Sequence, residues 1–314
     1  MLKTERVFLA TLGLFLGGCT MFQTPTAQPT PEFVTATPRI PTPVIPTPLP
    51  DIPGISPEQV RNSEYQLGFL NEIRKVKLTD GTYEEGAPGG TDYISVSMTD
   101  FIARGDLTGD GENEAVAIVA ENYGGSGTFV FLAVYAYQND QAVFLTSIFL
   151  DDRPLINNLA VEDGEVIVDM VVHAEDDPMC CPTFAIARSY RLHGVNLVLT
   201  SYSTKTPNGD PRRITIEAPV EGAQVSGIIH LKGNITIAPF ENNLVYRVYD
   251  LGGVELSAGP VSVEAPDLGA SGTFEKAIDL GSIITNTTVR IEVQDLNMAD
   301  GSLFAMDSVL LTIK

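Results

Sequence analysis

At residues 290–294 the sequence reads Arg-Ile-Glu-Val-Gln, a stretch in which polar and apolar side chains alternate. Successive side chains of a strand point to opposite faces, so this pattern predicts a strand with one face on a core and the other in water. Six further strand candidates lie between residues 214 and 313, separated by turn residues such as Gly252-Gly253 and Asp300-Gly301. The seven candidates cover residues 214–218, 225–234, 243–250, 254–265, 272–280, 288–296 and 303–313. Strands of this number and spacing predict an antiparallel β-sandwich over residues 214–314.

The same segment carries a series of marker residues whose order resembles that of a known family. These are Pro219, Gly222, Val225, Gly233, Phe240-Glu241, Asp250, Gly252-Gly253, Gly272, Phe274 and Asp300-Gly301-Ser302. Together they resemble the immunoglobulin-like domain of bacterial spore germination, over about 100 residues. That family is non-catalytic, and its members occur attached to cell-envelope proteins. The resemblance therefore implies a module for adhesion or assembly.

Residues 54–204 are predicted to form a separate, acidic and strand-rich α+β domain. Ser56-Pro57-Glu58-Gln59 contains an N-cap serine and a glutamine three residues later, which predicts a short helix. Apolar runs of strand length follow at Ala115 to Ala120, Phe129 to Tyr137 and Val143 to Leu150, and residues 161–168 read as a hairpin. The polar, turn-forming residues 205–213 are predicted to link this domain to the sandwich. The predicted fold class is therefore mainly β throughout.

The N-terminus has the features of an export signal. Lys3 and Arg6 precede an apolar run, and Leu16-Gly17-Gly18-Cys19 closes it. This run is too short for a transmembrane helix, which needs about 20 apolar residues. Its end resembles the lipobox of bacterial lipoproteins, in which the signal is removed and the cysteine is lipidated. Residues 1–18 are therefore predicted to be a signal peptide, and Cys19 a lipid anchor on the extracytoplasmic face of a bacterial membrane.

Residues 19–53 are predicted to form a stalk above that anchor. Between positions 20 and 50, 17 of the 31 residues are Thr or Pro. Proline fixes φ and lacks a backbone donor, so this composition favours extended polyproline II and cannot build a core.

The formal charge of −21 limits the kinds of partner that suit the protein. An acidic surface repels phosphate backbones, which argues against nucleic-acid binding. Cations or basic partners suit it better, although the same acidity also serves solubility. The expected partners are the membrane, through lipidated Cys19, and a protein or polymer of the envelope.

A short acidic loop is the sharpest local motif. Its oxygen-bearing side chains alternate along residues 106–114 and belong to Asp106, Thr108, Asp110, Glu112 and Glu114. Alternating oxygen ligands in a glycine-rich loop are typical of Ca²⁺ sites. An EF-hand would have a glutamate where Ala117 stands, so the loop is more similar to those that join strands in integrin-type β-propeller repeats. The predictions are a calcium site or, alternatively, a polar hairpin without metal.

The adjacent residues Cys180 and Cys181 allow three interpretations. They are a vicinal disulfide, a pair of buried structural thiols, or a metal or redox site. The block from Gly105 to Thr128, together with Asp177 to Thr183, resembles a family of uncharacterised bacterial envelope lipoproteins, a resemblance that implies no activity.

These features favour a non-catalytic binding or scaffolding module of the cell envelope. One alternative is a hydrolase acting on cell-wall polymers, with carboxylates among Asp106, Asp110 and Asp169. A second alternative is a calcium- or redox-responsive envelope subunit, based on the acidic loop and the cysteine pair.

Overall fold

The computed structural model describes residues 54–70 and 72–314, and almost all of their regular structure is β-strand. The one α-helix within these residues, α1 (Pro57–Arg61), begins with the expected capping box. Ser56 Oγ accepts the backbone N–H of Gln59 at 3.1 Å, and the Gln59 side chain accepts the N–H of Ser56 at 2.8 Å. These two bonds satisfy donors that a helix start leaves unpaired, which explains why so short a helix forms here.

The N-terminal half of the described chain contributes eleven main strands. They are β1 (Glu64–Gln66), β2 (Lys75–Lys77), β3 (Thr82–Glu85), β4 (Ile94–Gly105), β5 (Glu114–Asn122), β6 (Phe129–Gln138), β7 (Gln141–Asp152), β8 (Leu155–Glu162), β9 (Glu165–Val172), β10 (Phe184–His193) and β11 (Asn196–Lys205). The predicted hairpin corresponds to β8 and β9, whose turn residues Asp163 and Gly164 both have positive φ.

These strands form two layers. The first is an antiparallel sheet in the order β3-β4-β5-β6-β7, and the second contains β8 to β11 in chain order. A core of Val, Leu, Ile and Tyr side chains lies between the layers. A second core lies on the other face of the first sheet, beneath α1, β1 and β2. Because both faces of β5 are covered, its sequence is a nearly continuous apolar run and does not alternate.

The C-terminal half contains the predicted sandwich. Its strands are β12 (Pro211–Arg212), β13 (Ile214–Ala218), β14 (Ala223–Val225), β15 (Ile228–Ile235), β16 (Asn243–Asp250), β17 (Glu255–Glu264), β18 (Gly272–Asp279), β19 (Thr288–Leu296) and β20 (Leu303–Ile313). A single apolar core lies between the two sheets. The mainly β class and the C-terminal sandwich therefore agree with the sequence prediction.

Two details of the sandwich differ from the seven-strand prediction. The candidate over residues 225–234 overlaps two strands, β14 and β15, because Gly227 has a φ of 62° and turns the chain between them. In addition, β14 pairs with β20 in parallel, whereas the other strand pairs of the sandwich are antiparallel.

A continuous sheet joins the two halves. Strand β11 pairs antiparallel with β20, so that Ser201 lies opposite Asp307 and Ser203 opposite Ala305. Side chains reinforce the pairing: Thr204 Oγ1 donates to the carbonyl oxygen of Phe304 at 2.9 Å. The predicted linker contains a turn over residues 206–210, after which β12 returns to pair with β11.

A partly buried carboxyl group lies at this junction. Asp307 accepts the backbone N–H groups of Ile216 at 2.7 Å and Ser308 at 3.0 Å. Burial raises the pKa of Asp307 to about 6, against the effect of these hydrogen bonds, and the nearby charges of Glu165 and Glu221 add to the increase.

Candidate functional site

Five aromatic rings form a contiguous cluster at one end of the first sheet. We call it the aromatic surface, and it consists of Phe69, Tyr123, Phe129, Phe131 and Phe149. The rings of Phe69 and Phe129 are stacked with centroids 3.9 Å apart, and Phe149 lies 6.4 Å from Phe129. Phe69 and Phe149 are 50% and 49% exposed. Clustered aromatic side chains that remain in contact with water are typical of binding surfaces.

A buried carboxylate, Glu121, holds the aromatic surface in place. It is fully buried at the end of β5 and accepts the Tyr123 hydroxyl at 2.7 Å and the Tyr65 hydroxyl at 2.6 Å. It also accepts the backbone N–H groups of Gly68 at 2.8 Å and Phe69 at 3.2 Å. Four donors on one carboxylate compensate for the cost of burying it and fix the loop that carries Phe69.

Close backbone packing completes this positioning. A Cβ atom on Gly68 would lie 2.4 Å from Cε1 of Phe131, so only glycine lets the loop approach the ring. The roles of Glu121 and Gly68 were not predicted from the sequence. The available signal was an isolated glutamate directly after the apolar run of β5, followed by a tyrosine two residues later.

An ion pair fixes the loop beside these rings. Asp152 accepts the backbone N–H of Thr128 at 2.8 Å, and Arg153 donates to both oxygens of Asp152 at 3.0 and 2.8 Å. Partial burial acts to raise the pKa of Asp152, but the Arg153 and Thr128 hydrogen bonds outweigh it and lower the pKa below its ordinary value. The chain is therefore held in place directly after the glycine-rich residues 124–127, where it enters the sheet.

The aromatic surface lies far from the point where the described chain begins. Gly54 forms a parallel bridge with Asn113, next to the first residue of β5, whereas Glu121 and Tyr123 lie at the other end of that strand. At ~3.4 Å per residue the nine-residue strand separates the two ends by about 27 Å. Gly54 and the aromatic surface therefore lie at opposite ends of β5.

The predicted calcium loop connects β4 and β5, and its carboxylates have partners within the loop. Asp106 accepts the backbone N–H groups of Gly109 at 2.6 Å and Gly111 at 2.9 Å, and Asp110 accepts that of Glu112 at 2.9 Å. Glu114 is buried and accepts the N–H of Leu107 at 2.9 Å. Its burial raises its pKa above the ordinary value.

This arrangement does not present a ready donor set for Ca²⁺. Across residues 54–70 and 72–314, no group of three or more His, Cys, Asp or Glu side chains is placed to hold a metal ion. Glu112 is exposed, and Thr108 contributes its N–H to Glu114 at 3.2 Å. Calcium binding by Asp106, Thr108, Asp110, Glu112 and Glu114 stays a prediction, and the backbone contacts match those of a polar hairpin.

The cysteine pair lies on an exposed loop between β9 and β10. Cys180 and Cys181 are joined in a disulfide, and both residues are exposed. Asp177 closes the loop: it accepts the backbone N–H groups of Ala174 at 2.8 Å and Thr183 at 2.7 Å. These hydrogen bonds lower the pKa of Asp177. Intact mass before and after alkylation without reductant tests this bridge.

Of the three carboxylates of the hydrolase alternative, Asp169 lies apart from Asp106 and Asp110. Asp106 and Asp110 share one loop, whose backbone lies near Gly164 in the turn before β9. Asp169 is in the middle of β9, opposite Ala187, and lies five residues beyond Gly164, roughly 16 Å along the strand. Glycoside hydrolysis uses two carboxyl groups ~5–9.5 Å apart.

The predicted signal peptide, Cys19 and the stalk lie outside the described residues. Among the residues that are described, no helix is long and apolar enough to cross a membrane.

The C-terminal sandwich is similar to a known family of domains. Residues 213–302 match the model of the immunoglobulin-like domain of bacterial spore germination. The match runs from the start of β13 to the turn before β20, and it agrees with the resemblance read from the sequence. No curated protein matches the chain. The immunoglobulin-like domain therefore indicates a binding module in the C-terminal half.

Proposed function

We propose that the protein is a lipid-anchored, extracytoplasmic lipoprotein that acts as a non-catalytic binding or scaffolding module of the bacterial cell envelope. The aromatic surface is the observation that carries this proposal. Phe69 and Phe149 are about half exposed, although folding would normally bury such large apolar rings. Glu121 and Gly68 hold the surface in one conformation, which reduces the entropy that a partner must overcome on binding.

The position of the first described residue supports the same proposal. A lipid on Cys19 and a Thr/Pro stalk would precede Gly54 in the chain, and Gly54 lies at the end of the first sheet opposite the aromatic rings. The immunoglobulin-like domain adds a second module of a kind that binds other molecules.

Cross-linking on intact cells tests the binding surface, with Phe69→Ala/Phe149→Ala as the variant. We expect this variant to lose the partners that the wild-type protein captures, because the change removes the two most exposed rings of the surface. Val195→Ala, at an exposed apolar position in the β10–β11 turn, is the matched control and should capture the same partners as the wild type. Unchanged cross-links in the double variant would contradict the proposal.

The anchor is tested separately by Cys19→Ser. This variant should be released as a folded, soluble protein, because the lipid attachment site is lost. Retention of the variant in the membrane fraction would refute the anchor without bearing on the aromatic surface.

A further inference from the structure

A small cavity lies where strands β10 and β11 meet the start of β20. Its volume of about 390 Å³ is near the lower end of the range of small-molecule sites, which is roughly 300–1,000 Å³. It opens at the margin of the core between the two layers, because several of its side chains also pack against that core. The side chains that form its wall include Phe184, Arg188, Tyr190, Leu199, Tyr202 and Leu303.

Arg188 is the one charged side chain among the described residues that line this cavity. Its Nη1 donates to the carbonyl oxygen of Leu150 at 3.2 Å, while Nε and Nη2 are not sealed from solvent. The neighbouring Arg191 is paired with Glu165 at 3.0 Å and Glu221 at 3.7 Å. Arg188 has no such carboxylate partner within residues 54–70 and 72–314. Its charge is therefore not balanced locally, in a protein whose formal charge is −21.

Two tyrosine hydroxyls lie beside this guanidinium. Tyr202 is opposite Arg188 in the β10–β11 pairing, with Cζ of Arg188 5.8 Å from its ring centroid, and Tyr190 follows two residues later on β10. Neither hydroxyl donates to a described residue, and neither oxygen atom is sealed from solvent. Burial raises the pKa of both tyrosines, against the effect of the Arg188 charge, so both keep a proton to donate at neutral pH.

We infer that the cavity binds a small monocarboxylic acid with an aromatic body, whose carboxylate accepts hydrogen bonds from Arg188, Tyr190 and Tyr202. The planar guanidinium has paired donors that match the two oxygens of a carboxylate. The ring of the ligand packs against Phe184 and Leu199, which form the apolar part of the wall.

The surroundings select the charge and the size of the ligand. One cation balances one negative charge, so a carboxylate fits better than a phosphate, whose second charge would be repelled by an acidic protein. A cationic ligand would be repelled by Arg188 itself. A free acid fits better than the end of a polypeptide, because the cavity has little volume for a preceding residue.

Isothermal titration calorimetry on the full-length protein in detergent solution tests the inference, with detergent alone as the blank. The probes 3-phenylpropanoate, 3-phenylpropanamide and 3-phenylpropylamine share one ring and one chain length. We expect the acid to bind at least tenfold more tightly than the amide, because only the acid forms charge-assisted hydrogen bonds with Arg188, and the amine to bind least. Acetate should bind about tenfold more weakly than 3-phenylpropanoate, because it lacks the ring.

Two arginine variants separate the site from the overall charge. Arg188→Gln should weaken binding of 3-phenylpropanoate at least tenfold. Arg213→Gln is the matched control, because it removes an equal charge at an exposed position that does not line the cavity, and it should bind like the wild type.

Two tyrosine variants test the hydroxyls without disturbing the fold. Tyr202→Phe removes a donor that no described residue uses, and it should weaken binding about fivefold. Tyr249→Phe is the control: the Tyr249 ring also lies beside an arginine, with Cζ of Arg290 at 5.5 Å, but Arg290 is already paired with Glu292 at 2.8 Å. This variant should bind like the wild type.

Equal affinities for the acid and the amide would overturn the inference, and so would wild-type affinity in Arg188→Gln or equal effects of the two tyrosine variants. Tighter binding of N-acetyl-alanyl-phenylalanine than of 3-phenylpropanoate would overturn the assignment to a free acid. The tyrosine pair decides the question even if Arg188→Gln does not fold. The inference is independent of the anchor and of the aromatic surface, so its failure would leave the proposed function untouched.

Discussion

Asp307 shows how the junction between the two halves changes the chemistry of one carboxyl group. It lies in β20, opposite Ser201 of β11, and burial is the main cause of its raised pKa. The carboxylates of Glu165 and Glu221 contribute, while Arg191 lies within 3.0 Å of Glu165 and 3.7 Å of Glu221. The ionised form of Asp307 is therefore disfavoured in the folded protein.

We expect Asp307→Asn to remove a pH dependence of stability. The folded wild type keeps the Asp307 proton up to about pH 6, whereas the unfolded chain loses it near pH ~4. The folded state thus binds more protons in this window, and its free energy of unfolding falls by roughly 2–3 kcal/mol as pH rises through it. Asparagine has no such titration and can still accept the Ile216 N–H.

Urea unfolding at several pH values between 4 and 7 measures this difference. The stability of the variant relative to the wild type should increase with pH across the window. Parallel stability curves for the two proteins would contradict the assignment.

The loop between β1 and β2 shows how a single element creates the aromatic surface. It places Phe69 on Phe129 only because Gly68 lies directly against Phe131, and Glu121 binds the two N–H groups of the turn. The surface therefore depends on backbone approach as much as on the rings themselves.

Gly68→Ala should lower the free energy of unfolding by about 1–3 kcal/mol, because the new Cβ would have to displace the Phe131 ring or the loop. Gly125→Ala is a suitable control, since a Cβ there meets no atom within 4 Å and its φ is not in the left-handed region. Thermal unfolding followed by circular dichroism compares the two. Equal stability of both variants would show that the loop does not depend on this contact.

For single strands, the boundaries within the sandwich were predictable from local sequence. Candidates such as residues 243–250 and 288–296 coincide with β16 and β19, because alternation and turn residues are local signals. The aromatic surface was not predictable, because Phe69 and Phe129 meet across a separation of 60 residues through packing that no local pattern records.

For the whole molecule the decisive feature is the pairing of β11 with β20. The sequence indicated two domains and a polar linker, and no local signal shows that a strand of one half extends the sheet of the other. The described chain therefore has continuous hydrogen bonding from β8 through β11 and β20 into the sandwich.

This continuity predicts that the two halves unfold together. Differential scanning calorimetry should give one main transition, because loss of either half leaves the edge of β11 or β20 unpaired. Two well-separated transitions in the wild type would contradict the coupling.

Thr204→Val should lower the free energy of unfolding by about 1 kcal/mol, because it leaves the Phe304 carbonyl without the Thr204 donor. Thr273→Val, at an exposed position of β18, serves as the control.

The same pairing sets an order of events during biosynthesis. Thr200 of β11 and its partner Ser308 of β20 are separated by 108 residues, so β11 emerges long before the strand that covers its edge. Until then the nascent first half presents an open row of backbone donors and acceptors, which any other strand can join. Synthesis of this protein therefore includes an interval in which premature partners compete with β20, and a chain shortened before β20 would keep that edge exposed permanently.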